Sequence, residues 1–471
     1  MFVAVHAGAG FHSDKRAGEY TAAMCAAVDR AWRALSDPSS GTPPTSLSAV
    51  AAAVASLEES GVANAGRGSN LAADGTAEAD ASVMRGEDHA FGAVAAVPGL
   101  RHPSRAAALL ATESALPLPL GLVRPTMLAG DGARRWALSR GLEGEADAAR
   151  APAYLAQSER ARRAWRRHRR ALDEEEEEEA ARQQGRGAAG AAAAAAGAAA
   201  TRGRKRARTT TGAAQGDAAG AQNDDDPDDG EVALDTVGAI ALDAQGRCSA
   251  AVSSGGLAMK TPGRVGSAAV LGAACWAQDG QARAEGGGRR PSVAVSASGV
   301  GERLVLASLA RVAAAAGEAA EAPASYDDDD DDGGGLPPPL RPLPRACDDV
   351  LHRLVLCGPP PRDAGVIACR ALFSESGDSV RRVEFAACFT SRSFAIAYRG
   401  PSMESAEALI MHQTLPPEPR PQRPRQRQRQ RQRQMDPPAA AGGASGAAAS
   451  PRGEVGDVDV VQTLARAWWP S

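Results

Sequence analysis

Three short stretches in the middle of the chain carry residue types that could do chemistry together. They are Leu234-Asp235-Thr236-Val237-Gly238, Ser253-Ser254-Gly255-Gly256 and Pro262-Gly263-Arg264-Val265-Gly266. A threonine within a chain is a poor nucleophile, whereas a threonine at a new N-terminus carries its own base. Its α-amine has an ordinary pKa of about 7.7–8.0, so near neutral pH much of it can take the proton of the adjacent hydroxyl. The first stretch therefore reads as a latent active site, uncovered if the bond after Asp235 breaks. Arg264, on a loop bounded by Gly and Pro, offers a guanidinium suited to bidentate capture of a carboxylate.

The elements around these residues must bring them together. Val237, Ala239 and Ala241 alternate with Gly238, Ile240 and Leu242, and Asp243-Ala244-Gln245-Gly246 supplies a turn before a second run from Arg247 to Val252. The pattern predicts a hairpin whose antiparallel return carries Ser254 back toward Thr236. Each piece also has an ordinary structural reading: an Asp-Thr pair opening a strand, a Gly-Gly turn, a surface arginine. Only the ensemble is specific.

That ensemble resembles the threonine aspartase, or taspase, branch of the N-terminal-nucleophile hydrolases, which also include plant-type asparaginases and isoaspartyl peptidases. The resemblance rests on Leu-Asp-Thr-Val-Gly-Ala from 234, Ser-Ser-Gly-Gly-Leu-Ala from 253 and Pro-Gly-Arg-Val-Gly from 262. Further blocks agree: Val3 to Gly10, Asn64 to Leu71, Glu78 to Ser82, and Ser298-Gly299-Val300-Gly301-Glu302. The resemblance implies that Thr236 is the nucleophile, freed by self-cleavage after Asp235, and that Ser254 is the second hydroxyl that orients it. By the same resemblance Ser298 and Gly299 line an oxyanion hole, Asn64 reaches the site from the N-terminal half, and Arg264 with Gly301 belongs to the substrate-binding wall. Arg16, or its neighbour Lys15, falls where taspases have a basic residue implicated in self-processing.

Two departures separate the branches of the family. Asparaginases resemble one another in placing glycine before the nucleophile, and an aspartate three positions after the arginine that holds the substrate ammonium. Here those positions are Asp235 and Ser267. A site without that anion lacks a counter-charge for a free α-amine, so an interior aspartyl bond with an apolar residue before it is the expected substrate. The alternatives are an asparaginase or isoaspartyl peptidase acting on small amides, a catalytically inactive member acting as a scaffold, and a nucleotide-binding protein suggested by Gly8-Ala9-Gly10. The last lacks the third glycine of a dinucleotide loop, since Ser13 stands there.

The fold the resemblance implies is α+β, a four-layer αββα sandwich of two face-to-face sheets with helices outside. Tyr20, Met24, Val28, Ala31 and Leu35 recur at helical spacing, as do Leu47, Val50, Val54 and Leu57 after the capping candidates Thr45 and Ser46. Strands are expected at Phe2 to His6, Ala79 to Met84, Phe91 to Val97 and Val293 to Ala297, with helices after Pro103 and over Glu302 to Ala316. The N-terminal amides of the last helix are expected to face the Ser298-Gly299 turn. Val383 to Phe389 and Phe394 to Tyr398 read as a closing hairpin.

Composition sets limits around this core. The chain has 471 residues with 51 Gly and 31 Pro, and several monotonous runs. Four regions are expected: residues 1–158 as the α half of the hydrolase domain, 159–230 as a low-complexity, largely disordered insert in which Ala and alternating Arg favour helix in part but no packing on the core, 231–412 as the β half with an acidic, Pro-rich insert near 321–345, and 413–471 as a low-complexity tail. The net charge of −4 hides segregated acidic and basic tracts. The basic cluster Arg204-Lys205-Arg206-Ala207-Arg208 is either a solvated charge run or, as the taspase resemblance implies, a nuclear-import signal, and on the second reading nucleus and cytoplasm are the expected locations. No specific nucleic-acid readout is expected. Seven scattered cysteines and seven histidines show no zinc-ligand spacing, and neither cofactor nor metal is expected. The first strand follows Met1 directly and no apolar run is long enough to span a bilayer, so neither a signal peptide nor a membrane anchor is expected. The α and β fragments are expected to stay associated, and by resemblance to dimerise as αβ units.

Overall fold

The structure is a computed structural model that describes residues 1–37, 44–156, 158–177, 180, 236–283, 288–320, 342–356, 362–413 and 462–468. Its elements are β1 (Phe2–Gly10), α1 (Ala17–Ser36), α2 (Ser46–Ser60), β2 (Ala79–Arg85), β3 (Phe91–Val97), α3 (Pro103–Ser114), β4 (Met127–Ala129), α4 (Gly130–Leu138) and α5 (Ala151–Tyr154). A further helix, α6, covers 159–177. Then come β5 (Val237–Leu242), β6 (Cys248–Ser254), β7 (Cys275–Gln278), β8 (Ser292–Gly299), α7 (Gly301–Ala307), α8 (Leu309–Ala319) and α9 (Pro342–Leu351). The chain closes with β9 (Ala364–Phe373), β10 (Val380–Phe389), β11 (Ser393–Arg399), β12 (Glu407–His412) and β13 (Gln462–Trp468).

The period-2 alternation of the strands sorts side chains into two cores. On β5, Val237, Ala239 and Ala241 pack beneath α1 and α2, while Ile240 and Leu242 face the other way. An eight-stranded sheet runs β12-β11-β1-β5-β6-β2-β3-β4, and a five-stranded sheet runs β13-β10-β9-β8-β7. Ile240, Leu242, Cys248 and Val252 from the first sheet meet Val293, Val295, Ile367 and Phe385 from the second in one dry interface. Helices α1, α2 and α3 cover the outer face of the first sheet, and α8 and α9 that of the second. The architecture is therefore the four-layer αββα sandwich.

Local chemistry accounts for the helices that flank the site. Thr45 caps α2 by accepting from the Ser48 N–H at 3.1 Å, and the Ser48 hydroxyl reciprocates toward the Thr45 N–H at 3.1 Å. A cap of this kind stabilises a helix by about 1 kcal/mol. At the far end of α2, Gly61 takes φ +67°, the left-handed geometry that ends a helix with least strain in glycine.

Four sequence expectations meet a different outcome. The segments read as a closing hairpin, β10 and β11, belong to different sheets: β10 pairs with β9 and β13, whereas β11 pairs with β1 and β12. Thr390 and Ser391 are buried between them, with the Thr390 N–H on the Ala364 carbonyl, so the connection crosses the sandwich instead of turning back. The helix expected over Glu302 to Ala316 is broken at Ser308, whose φ of 47° is left-handed. The break lets the N–H groups of Ala310 and Arg311 donate to the carbonyls of Ala273 and Gly272. Residues 159–177, placed in the insert, form α6, whose Trp165 indole donates to the Ala72 carbonyl at 2.9 Å. Residues 462–468, placed in the tail, form an edge strand on β10. The cluster 204–208, the acidic and proline tract over 321–341 and the Arg-Gln repeat near 425–434 lie outside the described residues.

Candidate active site

The hairpin β5–β6 pairs Val237 with Ser253 in antiparallel register, and one further step places Thr236 opposite Ser254. Counting by two along each strand, both side chains share the face of Ile240 and Val252, the face turned toward the second sheet. The hydroxyls meet there: Thr236 Oγ1 lies 3.1 Å from Ser254 Oγ, with Thr236 as the donor. Ser254 Oγ also accepts from the Gly256 N–H at 3.0 Å, which fixes its position. Both residues are 6% exposed, so the pair sits at the mouth of the sandwich, reached only through a small cleft.

That cleft is lined by Asn64, Thr236, Ser254, Gly256, Arg264, Ser267, Gly299 and Gly301, among others, and holds about 300 Å³ open to solvent. Six of the residues expected at the site, Asn64, Thr236, Ser254, Arg264, Gly299 and Gly301, thus share one wall-to-wall space. Asp235 lies outside the described residues.

Asn64 does not present its amide to open space. Its Nδ2 donates to the Gly256 carbonyl at 2.8 Å, its Oδ1 accepts from the Asn70 N–H at 2.8 Å, and its own carbonyl accepts from the Gly255 N–H at 3.0 Å. Asn70, which the sequence reading missed as a supporting residue, donates to the same Gly256 carbonyl at 3.0 Å. The two amides together pin the Ser254–Gly256 turn to the N-terminal half of the chain. Ser298 is fully buried behind the cleft, where its hydroxyl accepts from the Ala9 N–H at 3.1 Å. Gly299 reaches the cleft itself, at φ +142°; a Cβ there would stand 2.3 Å from the Asp363 carbonyl oxygen. Only glycine fits that corner.

Arg264 meets Glu302, with Nε and Nη2 both donating to Oε1 at 3.0 and 2.5 Å. Burial pushes the Glu302 carboxyl upward, but hydrogen bonding from Arg264 and the backbone, with the Arg264 charge, outweighs it and leaves the group below its ordinary range. Beneath the arginine loop sits Asp80, a buried carboxylate that accepts from the Ala96 N–H and the Gly266 N–H at 2.8 Å each. Burial raises its pKa, against the opposing pull of Lys260, those two amides and Arg264. Lys260 is itself buried, donates to the Glu78 carbonyl at 2.9 Å, and is held below the ordinary lysine range chiefly by burial. Asp80 on β2 stands in register with Ser254 on β6, so it ties that strand to the Arg264 loop. A lone acid in the apolar run Ala79 to Met84 was the available signal for it.

His6 supports the site from β1. It is fully buried, its Nε2 lies 2.8 Å from Ser296 Oγ, and burial lowers its pKa to about 3 against an opposing contact with the Thr236 backbone. The imidazole is neutral and structural at working pH. Gly8 to Gly10, the stretch weighed as a nucleotide loop, lies inside β1, paired with β11 through Ala9 and Gly10. It opens no helix, which a phosphate-binding loop must do. Arg16 pairs with Glu19 and donates to the Val62 carbonyl at 3.2 Å, near the loop of Asn64, while Lys15 lines a separate cleft with Phe11, Asp14 and His412.

Two sheets packed face to face, with a threonine and a partner hydroxyl at the start of a central strand, define the N-terminal-nucleophile hydrolase class. Residues 1–325 match the family described as Asparaginase, and the chain belongs to that family. It is 31% identical to an isoaspartyl peptidase of Escherichia coli over 313 residues, 65% of this chain and 73% of that protein. It is 31% identical to a plant-type L-asparaginase of Pyrobaculum calidifontis over 55% of this chain and 62% of that protein. A probable isoaspartyl peptidase/L-asparaginase of Drosophila pseudoobscura pseudoobscura is 29% identical over 65% of this chain and 74% of its own length.

Proposed function

We propose that this chain is a taspase-type enzyme, a self-processing threonine endopeptidase that cleaves proteins after aspartate. In the precursor the Thr236 hydroxyl attacks the Asp235 carbonyl carbon. The 235–236 C–N bond breaks, the nitrogen takes the hydroxyl proton, and the resulting ester is hydrolysed by water. In the mature enzyme the freed α-amine accepts the proton of the same hydroxyl as it attacks a substrate aspartyl bond. The proton passes to the leaving amine, and water then hydrolyses the acyl-enzyme. Ser254 orients the nucleophile, Gly299 borders the space where the oxyanion develops, and Arg264 holds the aspartyl side chain.

One observation carries the choice of substrate. The wall that faces Thr236 and Arg264 offers Ser267, not a carboxylate, at the position where a free substrate ammonium would need one. The two nearby acids are committed elsewhere, Glu302 to Arg264 and Asp80 to two backbone amides. An interior peptide, which carries no ammonium at that point, matches such a wall.

The topology supports association of the fragments after cleavage. Strand β1 of the first fragment lies between β11 and β5 of the second, and β6 of the second pairs with β2 of the first. Separation would break both ladders of β1 and the β2–β6 ladder, one on each side of the β5–β6 hairpin. Dimerisation of αβ units and nuclear import through residues 204–208 complete the proposal.

Mass measurement of the purified protein tests it: the expected second fragment begins at Thr236, and a Thr236→Ala chain is expected to stay intact. Cleavage of a peptide with a central Leu-Asp sequence, cut after its aspartate and without ammonia release from asparagine, is the expected activity. The names of the relatives favour a second reading, an isoaspartyl peptidase or asparaginase, which the reverse result would establish.

A further inference from the structure

Arg264 is held by its flank and open at its tip. Both Nε and Nη2 donate to the single oxygen Oε1 of Glu302, which occupies the side-on edge of the guanidinium. Among the described residues Nη1 has no hydrogen-bond acceptor. The tip is ringed by three glycines that line the cleft with Thr236. A Cβ at Gly256 or Gly266 would stand 3.5 or 3.3 Å from Nη1, and one at Gly301 would stand 3.1 Å from Nη2. The same positions border two further groups, with Lys260 Nζ 3.2 Å from the Gly256 Cβ position and Asp80 Oδ2 2.9 Å from that of Gly266, so a side chain at any of the three would crowd the Nη atoms or these charges.

A guanidinium on a long aliphatic stem has many rotamers, and binding a carboxylate in one geometry costs their loss. A partner that fixes the flank beforehand removes part of that cost. We propose that Glu302 is a positioning residue for substrate recognition: its oxygen locks the side-on edge of Arg264 so that the end-on edge faces the cleft and receives the substrate side-chain carboxylate. The proposal rests on the reading of Arg264 as the residue that grips that carboxylate. Glu302 touches no reacting atom; it acts through the arginine. The feature that matters is the acceptor oxygen and not the negative charge, since the charge by itself opposes arrival of a second anion.

This distinction fixes the experiment. Wild type, Glu302→Ala and Glu302→Gln are purified, self-cleavage of each is verified by mass, and KM and kcat are measured on a peptide with a central Leu-Asp sequence, cut after its aspartate. Succinate binding to the same three proteins is measured by calorimetry. Glu302→Ala is expected to raise KM and the succinate Kd by roughly two- to tenfold, the scale of one immobilised side chain, with kcat nearly unchanged. Glu302→Gln, whose amide oxygen can still accept from Nε and Nη2, is expected to stay close to wild type or bind slightly tighter. The proposal is overturned if the alanine variant keeps the wild-type KM, if both variants bind more tightly, as for a residue that competes with substrate, or if both lose equally. If the mature wild type leaves the peptide uncut, the endopeptidase reading fails separately, and the succinate series still judges Glu302. Absence of succinate binding to wild type also overturns it.

Discussion

His6 gives the chain an acid-sensitive point beside the backbone of Thr236. The residue is fully buried among β1, β5 and β8, and burial lowers its pKa from 6.5 to about 3. The sign follows from proton counting. Above pH 6.5 the imidazole is neutral in both folded and unfolded chains and stability is at its full value. As pH falls below 6.5 the unfolded chain gains a proton that the folded chain refuses, so stability falls until about pH 3, where the folded state also protonates. Each pH unit in that window corresponds to about 1.4 kcal/mol. Between pH 7.5 and 5.0 this one group is therefore expected to remove about 2 kcal/mol of stability.

The assay is urea unfolding of the uncleaved Thr236→Ala chain, which keeps the polypeptide in one piece, with and without His6→Gln, at both pH values. Other titrating groups, Asp80 among them, are common to the two proteins and cancel in the difference. The His6→Gln chain is expected to start less stable, because the 2.8 Å contact with Ser296 is altered, yet to lose about 2 kcal/mol less on acidification. Parallel losses in the two chains would refute the placement of a neutral, desolvated imidazole at this position.

Three further outcomes are expected. Arg264→Ala should lower kcat/KM on aspartyl peptides by about 10²- to 10³-fold, the loss of a charge-assisted pair of about 3–4 kcal/mol, while self-cleavage proceeds, because covalent tethering presents Asp235 to Thr236 at high effective concentration; fragment masses and peptide kinetics read the two effects apart. Gly299→Ala should destabilise the fold by about 3 kcal/mol or more, from overpacking and a positive φ, since its Cβ would stand 2.3 Å from the Asp363 oxygen; the denaturant midpoint of the uncleaved chain measures it. The mature enzyme should gain activity as pH rises through about 7.7–8.0, where the Thr236 α-amine loses its proton, and a flat pH profile from 6.5 to 8.5 would exclude that amine as the base.

What the sequence reveals here follows the range of the interactions. The β5–β6 hairpin is local, eighteen residues from Thr236 to Ser254, and its alternation and turn residues place both hydroxyls without further information. The αββα layering came through family resemblance, because no periodicity in β5 states which of its two apolar faces meets helices and which meets a second sheet. Asp80, Lys260 and Glu302 were missed as site supports for the same reason: each acts through a residue 38 to 186 positions away. The crossing at Thr390 looked like a hairpin turn because strand alternation carries no sheet address, and β13 was hidden by the monotonous tract before it.

The site is built so that its movable parts are few. Thr236 and Ser254 are set by strand register, Gly256 by two amides, Gly266 by Asp80, and Arg264 by Glu302. The fixation has an energetic logic if, as proposed, the protein reacts with its own backbone first. In the uncleaved chain Thr236 Oγ1 already lies 3.1 Å from its partner hydroxyl, so on the proposed mechanism the sandwich forms first and holds the reacting hydroxyl in place. The same interleaving of β1, β5 and β11 that holds the fragments together after the cut is what makes that early rigidity available. On the proposed mechanism, hydrolysis of the 235–236 bond leaves a carboxylate on residue 235 and turns the Thr236 amide nitrogen, which cannot accept a proton, into an amine that can.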